Sequence, residues 1–595
     1  MLRDTNSSSG EETTETPAGA TDASPSRRLG DRCRRAVARS WRALARADRY
    51  DLAAVLLLGC LVLLVAFTFG DYAISNDEEV QQHYAELIIA YYRSGFTDEA
   101  LFHFRNLYLY GGLFDLIAVG LEKLLPLDIY AVRHLLTALT GVGGIAAVWA
   151  TARTIGGPRA GLLAAAAIAL CGTWYGAMFN HTKDIPFAAA MMAATYLLVL
   201  IGRQLPRPRW SLVVLFGVLC GCALGIRILG VFLVVYAVFV VALYAPIGWR
   251  TSWRKSWRKS GRAVLGFAAR SALPLTAAFA IAYLIMIASW PWAALAPLNP
   301  LRALSEFADF HYKIQTVLDG HVYYMSDVPR TYIPTYVAIK LTLVLLIGAV
   351  LSLVFAALPQ PAGQTADAAP ANSAWRKQTA LIALAALLPL ICDVIARGPA
   401  FSGMRHFLFT VPPIAVLAGL GLNAALTRLE TRIRLVAAGA LALVVLSFGF
   451  DATTLYRLHP DEYLFFNPLV GGLAGASRRY DTDYWVNIMP EAIDDLEHFL
   501  DRTEGPSGKT PPRHRYLVAV CGEKLPFEKQ ADIRLELTRD PHKAEFFIAP
   551  TNNNCDRALD GKVVANIERL GVVIGVVKDR RALLRSVAGL SLSMP

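Results

Sequence analysis

Residues 52–69, LAAVLLLGCLVLLVAFTF, decide the fold class, because these 18 positions contain no Asp, Glu, Lys or Arg. A helix of about 17–25 apolar residues is long enough to cross a lipid bilayer. Comparable uncharged stretches recur up to Phe450, in a chain with 55% hydrophobic residues and a mean hydropathy of +0.41. From Asp451 onward the composition is that of a soluble protein. The sequence therefore predicts an α-helical membrane protein that crosses the bilayer many times and carries a soluble C-terminal region.

The apolar stretches divide into about eleven spans when each is matched to the thickness of a bilayer. Segment 106–125 is long enough for a further span, but it contains Asp115, Glu122 and Lys123. We therefore predict that it forms a helix at the outer interface of the membrane. The predicted spans are 52–69, 135–152, 161–179, 185–201, 210–226, 228–247, 263–290, 332–358, 379–395, 407–426 and 435–450.

Basic residues beside the spans indicate the orientation, because cytoplasmic loops of membrane proteins are enriched in Lys and Arg. Segment 27–49 holds nine arginines ahead of the first span, and loop 250–262 holds six Arg or Lys residues. Alternate loops are basic, whereas the long loop 301–331 offsets its cations with acids. With an odd number of spans, the N-terminus lies in the cytoplasm and the C-terminal region outside. The net charge of +11 thus reflects topology, and we expect no nucleic-acid partner.

We expect three units along the chain. Residues 1–50 form a disordered, basic cytoplasmic segment, since they are rich in Ser, Thr, Gly and Arg. Residues 51–451 form the membrane domain. Residues 452–595 form the outer C-terminal region, in which the short apolar runs 516–521, 545–549 and 571–577 predict strands of a small α/β module.

Ionisable residues cluster at the predicted outer ends of the spans, where charges beside lipid are costly. The basic members run against the cytoplasmic bias of Lys and Arg, which suggests that they face a fixed anion. A carboxylate at this surface can accept a proton from a hydroxyl, and Lys or Arg can stabilise a phosphate leaving group. The candidates are Asp77, Glu78, Arg133, Lys183, Asp184, Arg227, Arg405 and His406.

Each candidate also has a simpler structural interpretation. Asp77 and Glu78 suit the start of a solvated helix, where acids are favoured. Lys183 with Asp184 suits a helix cap with an ion pair, and Arg405 can extend its guanidinium toward the membrane surface. The joint pattern at one face favours a functional site more than any single residue does.

Four short motifs carry a family resemblance. In chain order they are Ser-Asn-Asp-Glu-Glu at 75–79, Tyr-Gly-Gly-Leu-Phe-Asp at 110–115, Asn-His-Thr-Lys-Asp-Ile-Pro-Phe at 180–187 and Arg-His-Phe-Leu at 405–408. Over roughly 52–450 the chain resembles the GT-C glycosyltransferases, specifically the family 39 group related to dolichyl-phosphate-mannose-protein mannosyltransferases. The resemblance implies a GT-C-like membrane domain with interfacial helices in the first outer loop.

The resemblance also implies a role for individual residues. Asp77 matches the catalytic acid of the first outer loop, Asp184 matches a second acidic position, and Arg405 matches a basic position near the lipid phosphate. We expect Asp77, supported by Glu78, to activate the acceptor hydroxyl, and Asp184 to be the candidate ligand if a divalent cation, Mg or Mn, takes part. No cofactor is required in principle. The residues expected to hold the donor phosphate are Lys183, Arg405, Arg133, Arg227 and His406.

The expected activity is that of an inverting glycosyltransferase in a bacterial inner membrane, which takes a sugar from a polyprenyl-phosphate donor at the periplasmic face. The His-Pro-Pro that often follows the first-loop acid is replaced by Tyr110, Gly111 and Gly112, and no large β-trefoil insertion occurs. A glycolipid or polysaccharide acceptor is therefore at least as well supported as a protein. The alternatives are a transporter or flippase for a lipid-linked sugar and a non-catalytic envelope assembly protein.

Cys521 and Cys555 are the only cysteines of the C-terminal region. Cys521 ends one predicted strand and Cys555 follows another. If the region lies outside the cytoplasm, a disulfide between them is permitted. We therefore predict that these two residues are bonded.

Overall fold

The computed structural model describes residues 48–75, 77–246, 257–308, 312–358, 368–506 and 514–591. Almost all of the expected disordered segment 1–50 and most of the basic loop 250–262 lie outside these residues. The described part of the chain is mostly helical and ends in a small β-sheet domain, as the sequence predicts.

Apolar helices account for all eleven predicted spans. Within the described residues, seven helices are long and apolar enough to cross a membrane, and two bent pairs raise this number to nine. Two shorter apolar helices, Trp210–Leu224 and Ile228–Tyr244, match the remaining two predictions. The seven long helices are Arg49–Thr68, Ile129–Gly156, Asp184–Gly202, Gly261–Ser289, Asn372–Ala396, Arg405–Glu430 and Arg434–Leu458.

The predicted continuous span 161–179 is broken. Helix Pro158–Ala169 and the segment Gly172–Asn180 meet at 66°. The break allows another segment to approach closely, because a Cβ at Gly176 would lie 2.1 Å from the Tyr463 nitrogen. Glycine removes that clash, and the C-terminal region thereby packs directly against the membrane helices.

The predicted span 332–358 is also two helices rather than one. Tyr332–Lys340 and Leu343–Ala357 are bent by 111° relative to each other. A bend of this kind frees backbone carbonyls that need new hydrogen-bond donors. Asn467 supplies them, since its Nδ2 donates to the carbonyl of Ala338 at 2.6 Å and to that of Leu341 at 2.8 Å.

The loop after the first long helix contains two further helices. Glu78–Arg93 has 16 residues and Leu113–Glu122 has ten. The second covers the middle of segment 106–125 and is about 15 Å long at 1.5 Å per residue. It is too short to cross a bilayer, which agrees with the prediction that segment 106–125 does not span the membrane.

The C-terminal region contributes a helix, Met489–Glu504, and a five-stranded sheet. All three predicted strands are present, and the sequence missed Leu535–Leu537 and Lys562–Arg569. Leu535–Leu537 has only three residues, and Lys562–Arg569 is a largely exposed edge strand whose charges weaken the apolar pattern. Across the sheet the strands run Leu535–Leu537, Tyr516–Val520, Phe546–Pro550, Val572–Asp579 and Lys562–Arg569, with the first three parallel and the last two antiparallel to their neighbours.

Shorter elements complete the described fold. Gln315–Leu318 and His321–Tyr324 form a hairpin between helices Asn299–Ala308 and Tyr332–Lys340. Its Leu318 forms an isolated bridge with Tyr480 of the C-terminal region. The remaining α-helices of five residues or more are Pro291–Leu295, Asn299–Ala308, Gly472–Ala476, Leu525–Gln530 and Arg581–Ser591.

Candidate active site

The centre of the site is the guanidinium of Arg405. Its Nη2 donates to Oδ2 of Asp77 at 2.9 Å, and its Nε lies 4.0 Å from Oδ2 of Asp184. The carboxylate of Asp184 also forms an ion pair with Arg227. Four of the residues predicted from sequence therefore form one continuous ion-pair network.

Each member of this network stands at or close to the end of a helix. Asp77 precedes helix Glu78–Arg93, Arg227 follows Trp210–Leu224, and Arg405 opens the short helical turn before Val411–Glu430. Asp184 is the first residue of its helix, where a negative charge interacts favourably with the helix dipole. The ends of separate membrane helices thus meet at one place.

Asp77 is the accessible carboxylate of the network. Its side chain is 38% exposed, whereas those of Arg405 and Asp184 are 9% and 4% exposed. Burial raises the pKa of Asp77, but Arg405, Lys183 and Arg227 outweigh this effect and hold its pKa below the usual value. Asp77 is therefore ionised at neutral pH and open to an approaching molecule.

Lys183 supplies a third cation beside the network. Its Nζ lies 4.3 Å from the centre of the Tyr110 ring, a distance typical of a cation–π contact. Burial lowers the pKa of Lys183, although the negative charges of Asp77 and Asp115 oppose the change. Three cations, Lys183, Arg227 and Arg405, thus lie close to the two carboxylates of Asp77 and Asp184.

Tyr484 and Trp485 also lie at the site, although the sequence did not predict them there. The Trp485 ring lies 4.5 Å from Cζ of Arg405, and its Nε1 lies 2.8 Å from Nε2 of His181. The Tyr484 hydroxyl lies 3.0 Å from the same His181 nitrogen, and burial with the nearby Arg405 charge lowers the pKa of His181 well below its usual value. The aromatic cluster 480–485 was visible in the sequence, but no local signal connected it with a site about 300 residues earlier.

His406 stands behind Arg405. Arg405 Nε donates to Nε2 of His406 at 3.3 Å, and the His406 ring packs edge-on against Phe401 at 4.7 Å. These contacts orient the guanidinium of Arg405.

Two candidates lie outside the network. Glu78 is fully buried, accepts a hydrogen bond from the Ser75 nitrogen at 2.7 Å and lies 3.0 Å from Nε2 of His134. Arg133 is also fully buried, and it donates to Asp115 and to Gln82, each at 2.9 Å. These contacts favour a structural role for both residues. The sequence had suggested a catalytic role for Glu78 and a phosphate-binding role for Arg133.

The residues around Asp184 do not fit a divalent cation. Its carboxylate is paired with Arg227 and lies close to Arg405, so two positive groups occupy the space that a metal would need. Within the part of the chain that the structure describes, no group of three or more His, Cys, Asp or Glu side chains is arranged to hold a metal ion.

One segment of the chain matches the model of a known protein family. Residues 123–289 match the model of the family described as dolichyl-phosphate-mannose-protein mannosyltransferase. The match confirms the resemblance over this segment, which contains the motif at 180–187. It covers the second to the seventh predicted spans and includes Lys183, Asp184 and Arg227.

Two groups of solved structures are similar to the chain. ArnT from Cupriavidus metallidurans bound to undecaprenyl phosphate is 15% identical, with a TM-score of 0.44, and the match covers 88% of this chain and 97% of that one. The oligosaccharyltransferase of Archaeoglobus fulgidus in the apo form is 14% identical, with a TM-score of 0.45, and the match covers 84% of this chain and 65% of that one. A comparison with curated proteins gives no match.

Proposed function

We propose that this protein is an inverting glycosyltransferase that takes a sugar from a polyprenyl-phosphate donor. The observation that carries the proposal is the network in which the exposed carboxylate of Asp77 lies 2.9 Å from the buried guanidinium of Arg405. The network, with Lys183 beside it, combines a proton acceptor with three cations at one surface. The match of residues 123–289 to a mannosyltransferase family supports the same class of reaction.

In the proposed reaction Asp77 accepts the proton of the acceptor hydroxyl as that oxygen attacks the anomeric carbon of the sugar. A new carbon–oxygen bond forms while the bond from the anomeric carbon to the phosphate oxygen breaks. The bonding electrons pass to the leaving phosphate. A single displacement from the opposite face inverts the configuration at the anomeric carbon.

The cations stabilise the leaving group. A donor phosphodiester carries one negative charge, and the lipid monophosphate that leaves gains further negative charge as the bond breaks. Lys183, Arg227 and Arg405 therefore interact more strongly with the transition state than with the bound donor.

We further propose that the reaction takes place at the periplasmic face of a bacterial inner membrane, with membrane lipids around the spans. The basic loops on the opposite side of the membrane support this orientation. The acceptor is a glycan, lipid or protein that carries a free hydroxyl.

Reporter fusions test the orientation: those after Arg209 and Arg434 should read cytoplasmic, and those near Asp319 and Gly505 should read periplasmic. A cytoplasmic signal at Gly505 would contradict the assigned face.

The rival proposal, a transporter of the lipid-linked sugar, requires charged groups that are free to engage a substrate within the membrane. Lys340 is the buried lysine of the bent pair, but its Nζ donates to the Tyr463 carbonyl at 2.6 Å. That contact commits its amine to the protein. The ion-pair network at the helix ends favours the transferase.

A reconstituted assay separates the two functions. Purified protein in liposomes is given a polyprenyl-phosphate hexose labelled in the sugar, together with an envelope extract as the source of acceptor. The proposal expects label to move to a new product as free polyprenyl phosphate accumulates, and expects Asp77→Asn to prevent both. Movement of label across the bilayer with the sugar still attached to its lipid would instead establish the transporter.

A further inference from the structure

We propose that Asn487 is a positioning residue for Asp77 and that Arg569 of the C-terminal sheet holds Asn487 in place. The proposal rests on the function proposed for Asp77, and it gives the C-terminal region a part in catalysis. The connection runs through buried hydrogen bonds and one buried ion pair.

The short loop between the first long helix and Asp77 is held by residues of the C-terminal region. The Ala73 nitrogen donates to Oδ1 of Asn487 at 2.8 Å. The Tyr72 hydroxyl donates to Oε2 of Glu462 at 2.9 Å. Residues about 400 positions later in the chain therefore fix the backbone four residues before the proposed base.

The orientation of the Asn487 side chain is determined by its other contacts. Its Nδ2 donates to Oδ1 of Asp461 at 2.8 Å and to the Pro460 carbonyl at 3.2 Å. With the amide nitrogen engaged by two acceptors, the amide oxygen is directed at Ala73. Asn487 and Asp461 are 3% and 0% exposed, so water does not compete for these bonds.

Arg569 favours the ionised form of Asp461. Its Nε lies 2.8 Å from Oδ2 of Asp461, and it is the last residue of strand Lys562–Arg569. Burial and the neighbouring charge of Asp483 raise the pKa of Asp461, Arg569 acts in the opposite direction, and the net pKa is about 7. Without Arg569 the pKa would be higher still and Asp461 would also lose its ion-pair partner, so the carboxylate that accepts from the Asn487 amide would be less firmly held.

The same loop is fixed on its other side, which makes it stiff. The Ser75 hydroxyl donates to the Asn180 carbonyl at 3.1 Å, and the Ser75 nitrogen donates to Glu78 at 2.7 Å. Because Ser75 and Glu78 bond each other on either side of Asp77, we expect a shift at Ala73 to displace Asp77. A displacement of about 1 Å at a reacting group can reduce turnover by about a hundredfold.

The chain offers a matched control for Arg569. The Nη2 of the same guanidinium pairs with Oε2 of Glu491 at 2.6 Å, and the Glu491 side chain is 45% exposed. Glu491→Gln removes this outer partner and leaves the buried pair with Asp461 intact. Arg569→Gln removes both, and Arg569→Lys restores the charge near Asp461.

The test combines kinetics with hydrogen–deuterium exchange of the full-length protein in detergent. In Asn487→Ala and Arg569→Gln we expect kcat to fall at least tenfold, the donor KM to stay within twofold, and amide exchange to rise across residues 71–77. Arg569→Lys should recover most of the turnover, and Glu491→Gln should behave as wild type. Asn487→Ser provides a milder change if either variant does not fold.

Two outcomes would overturn the proposal. One is unchanged exchange at 71–77 in Asn487→Ala, and the other is faster exchange there without loss of kcat. If the wild-type protein transfers no sugar, the function proposed for the site fails, yet the exchange measurement still decides whether Arg569 and Asn487 order this loop.

Discussion

Arg405 and Asp77 are 328 positions apart in the chain and are joined by a hydrogen bond of 2.9 Å. The buried guanidinium fixes the exposed carboxylate at a surface where the ends of several membrane helices meet. This pair places the proposed base next to the proposed phosphate site. The two functions can therefore be separated by substitutions that affect one member at a time.

The first prediction concerns the base. Asp77→Asn keeps the shape of the side chain and removes its ability to accept a proton. Loss of a general base typically reduces turnover by about 10²–10⁴-fold. Donor binding should be preserved or slightly tighter, because Arg405 loses a competing anion. Steady-state kinetics and donor binding to the purified variant check this result.

The control for Asp77→Asn is Glu79→Gln, which changes a neighbouring exposed carboxylate. It should retain wild-type turnover. Near-normal transfer by Asp77→Asn would mean that another group accepts the proton.

The positions of Asp77, Lys183, Arg227 and Arg405 could be predicted because each stands at the end of an uncharged stretch. Charges are costly there, and the alternation of basic loops places all four at one face. The distinction between Asp77 and its neighbour Glu78 could not be predicted. It depends on helix Glu78–Arg93 directing Glu78 inward to His134, 56 positions away.

The bends of the membrane helices could not be predicted from the sequence either. The break after Lys340 is stabilised by Asn467, whose side chain serves carbonyls that lie 129 and 126 positions earlier. The contact between Trp485 and His181, which are 304 positions apart, could not be predicted either. Periodicity and local charge describe single helices, whereas these contacts depend on how distant segments pack.

The second prediction concerns the donor phosphate. Lys183→Ala and Arg405→Ala should weaken donor binding as well as turnover, because both cations are proposed to contact the phosphate before and during the reaction. A hydrogen bond to a charged group contributes about 1.5–3 kcal/mol, which corresponds to about 10–100-fold in affinity. Titration of each variant with a fluorescent polyprenyl phosphate measures the change.

Lys123→Ala serves as the control for the loss of one positive charge, since Lys123 is exposed and lies outside the network. It should bind the lipid phosphate as wild type does. Unaltered binding by both Lys183→Ala and Arg405→Ala would place the phosphate elsewhere.

The third prediction concerns the C-terminal sheet. The structure joins Cys521 to Cys555 with a Cα–Cα distance of 6.5 Å and a sequence separation of 34. In the entropic model, a loop of this size stabilises the fold by about 3–4 kcal/mol. Cys521→Ser should therefore lower the temperature at which the C-terminal sheet unfolds, and a reducing agent should do the same to the wild type.

Cys60→Ser, in the first long helix, is the control and should leave that unfolding temperature unchanged. Peptide mass spectrometry after alkylation without reduction tests the bond itself. Alkylation of both Cys521 and Cys555 in folded, unreduced protein would contradict the prediction.

The fourth prediction concerns pH. A general base must be ionised to act, so kcat/KM declines as the pH falls through the pKa of Asp77. Burial raises this pKa, while Arg405, Lys183 and Arg227 lower it to a net value below the usual one. The wild type should therefore keep a constant kcat/KM from neutral pH down to about pH 5, above the ordinary carboxylate range.

Arg405→Gln removes the strongest of these positive influences and leaves the effect of burial. The pKa of Asp77 must then rise, and the acidic decline of kcat/KM should move to higher pH. Lys183→Gln should move it in the same direction by a smaller amount, whereas Glu79→Gln should not move it. The measurement is the ratio of kcat/KM at pH 5 to that at pH 7 for each protein, which is independent of the overall loss of activity. An unchanged ratio in Arg405→Gln would show either that Asp77 is not the base or that Arg405 does not control its ionisation. The turnover of Asp77→Asn distinguishes these two explanations.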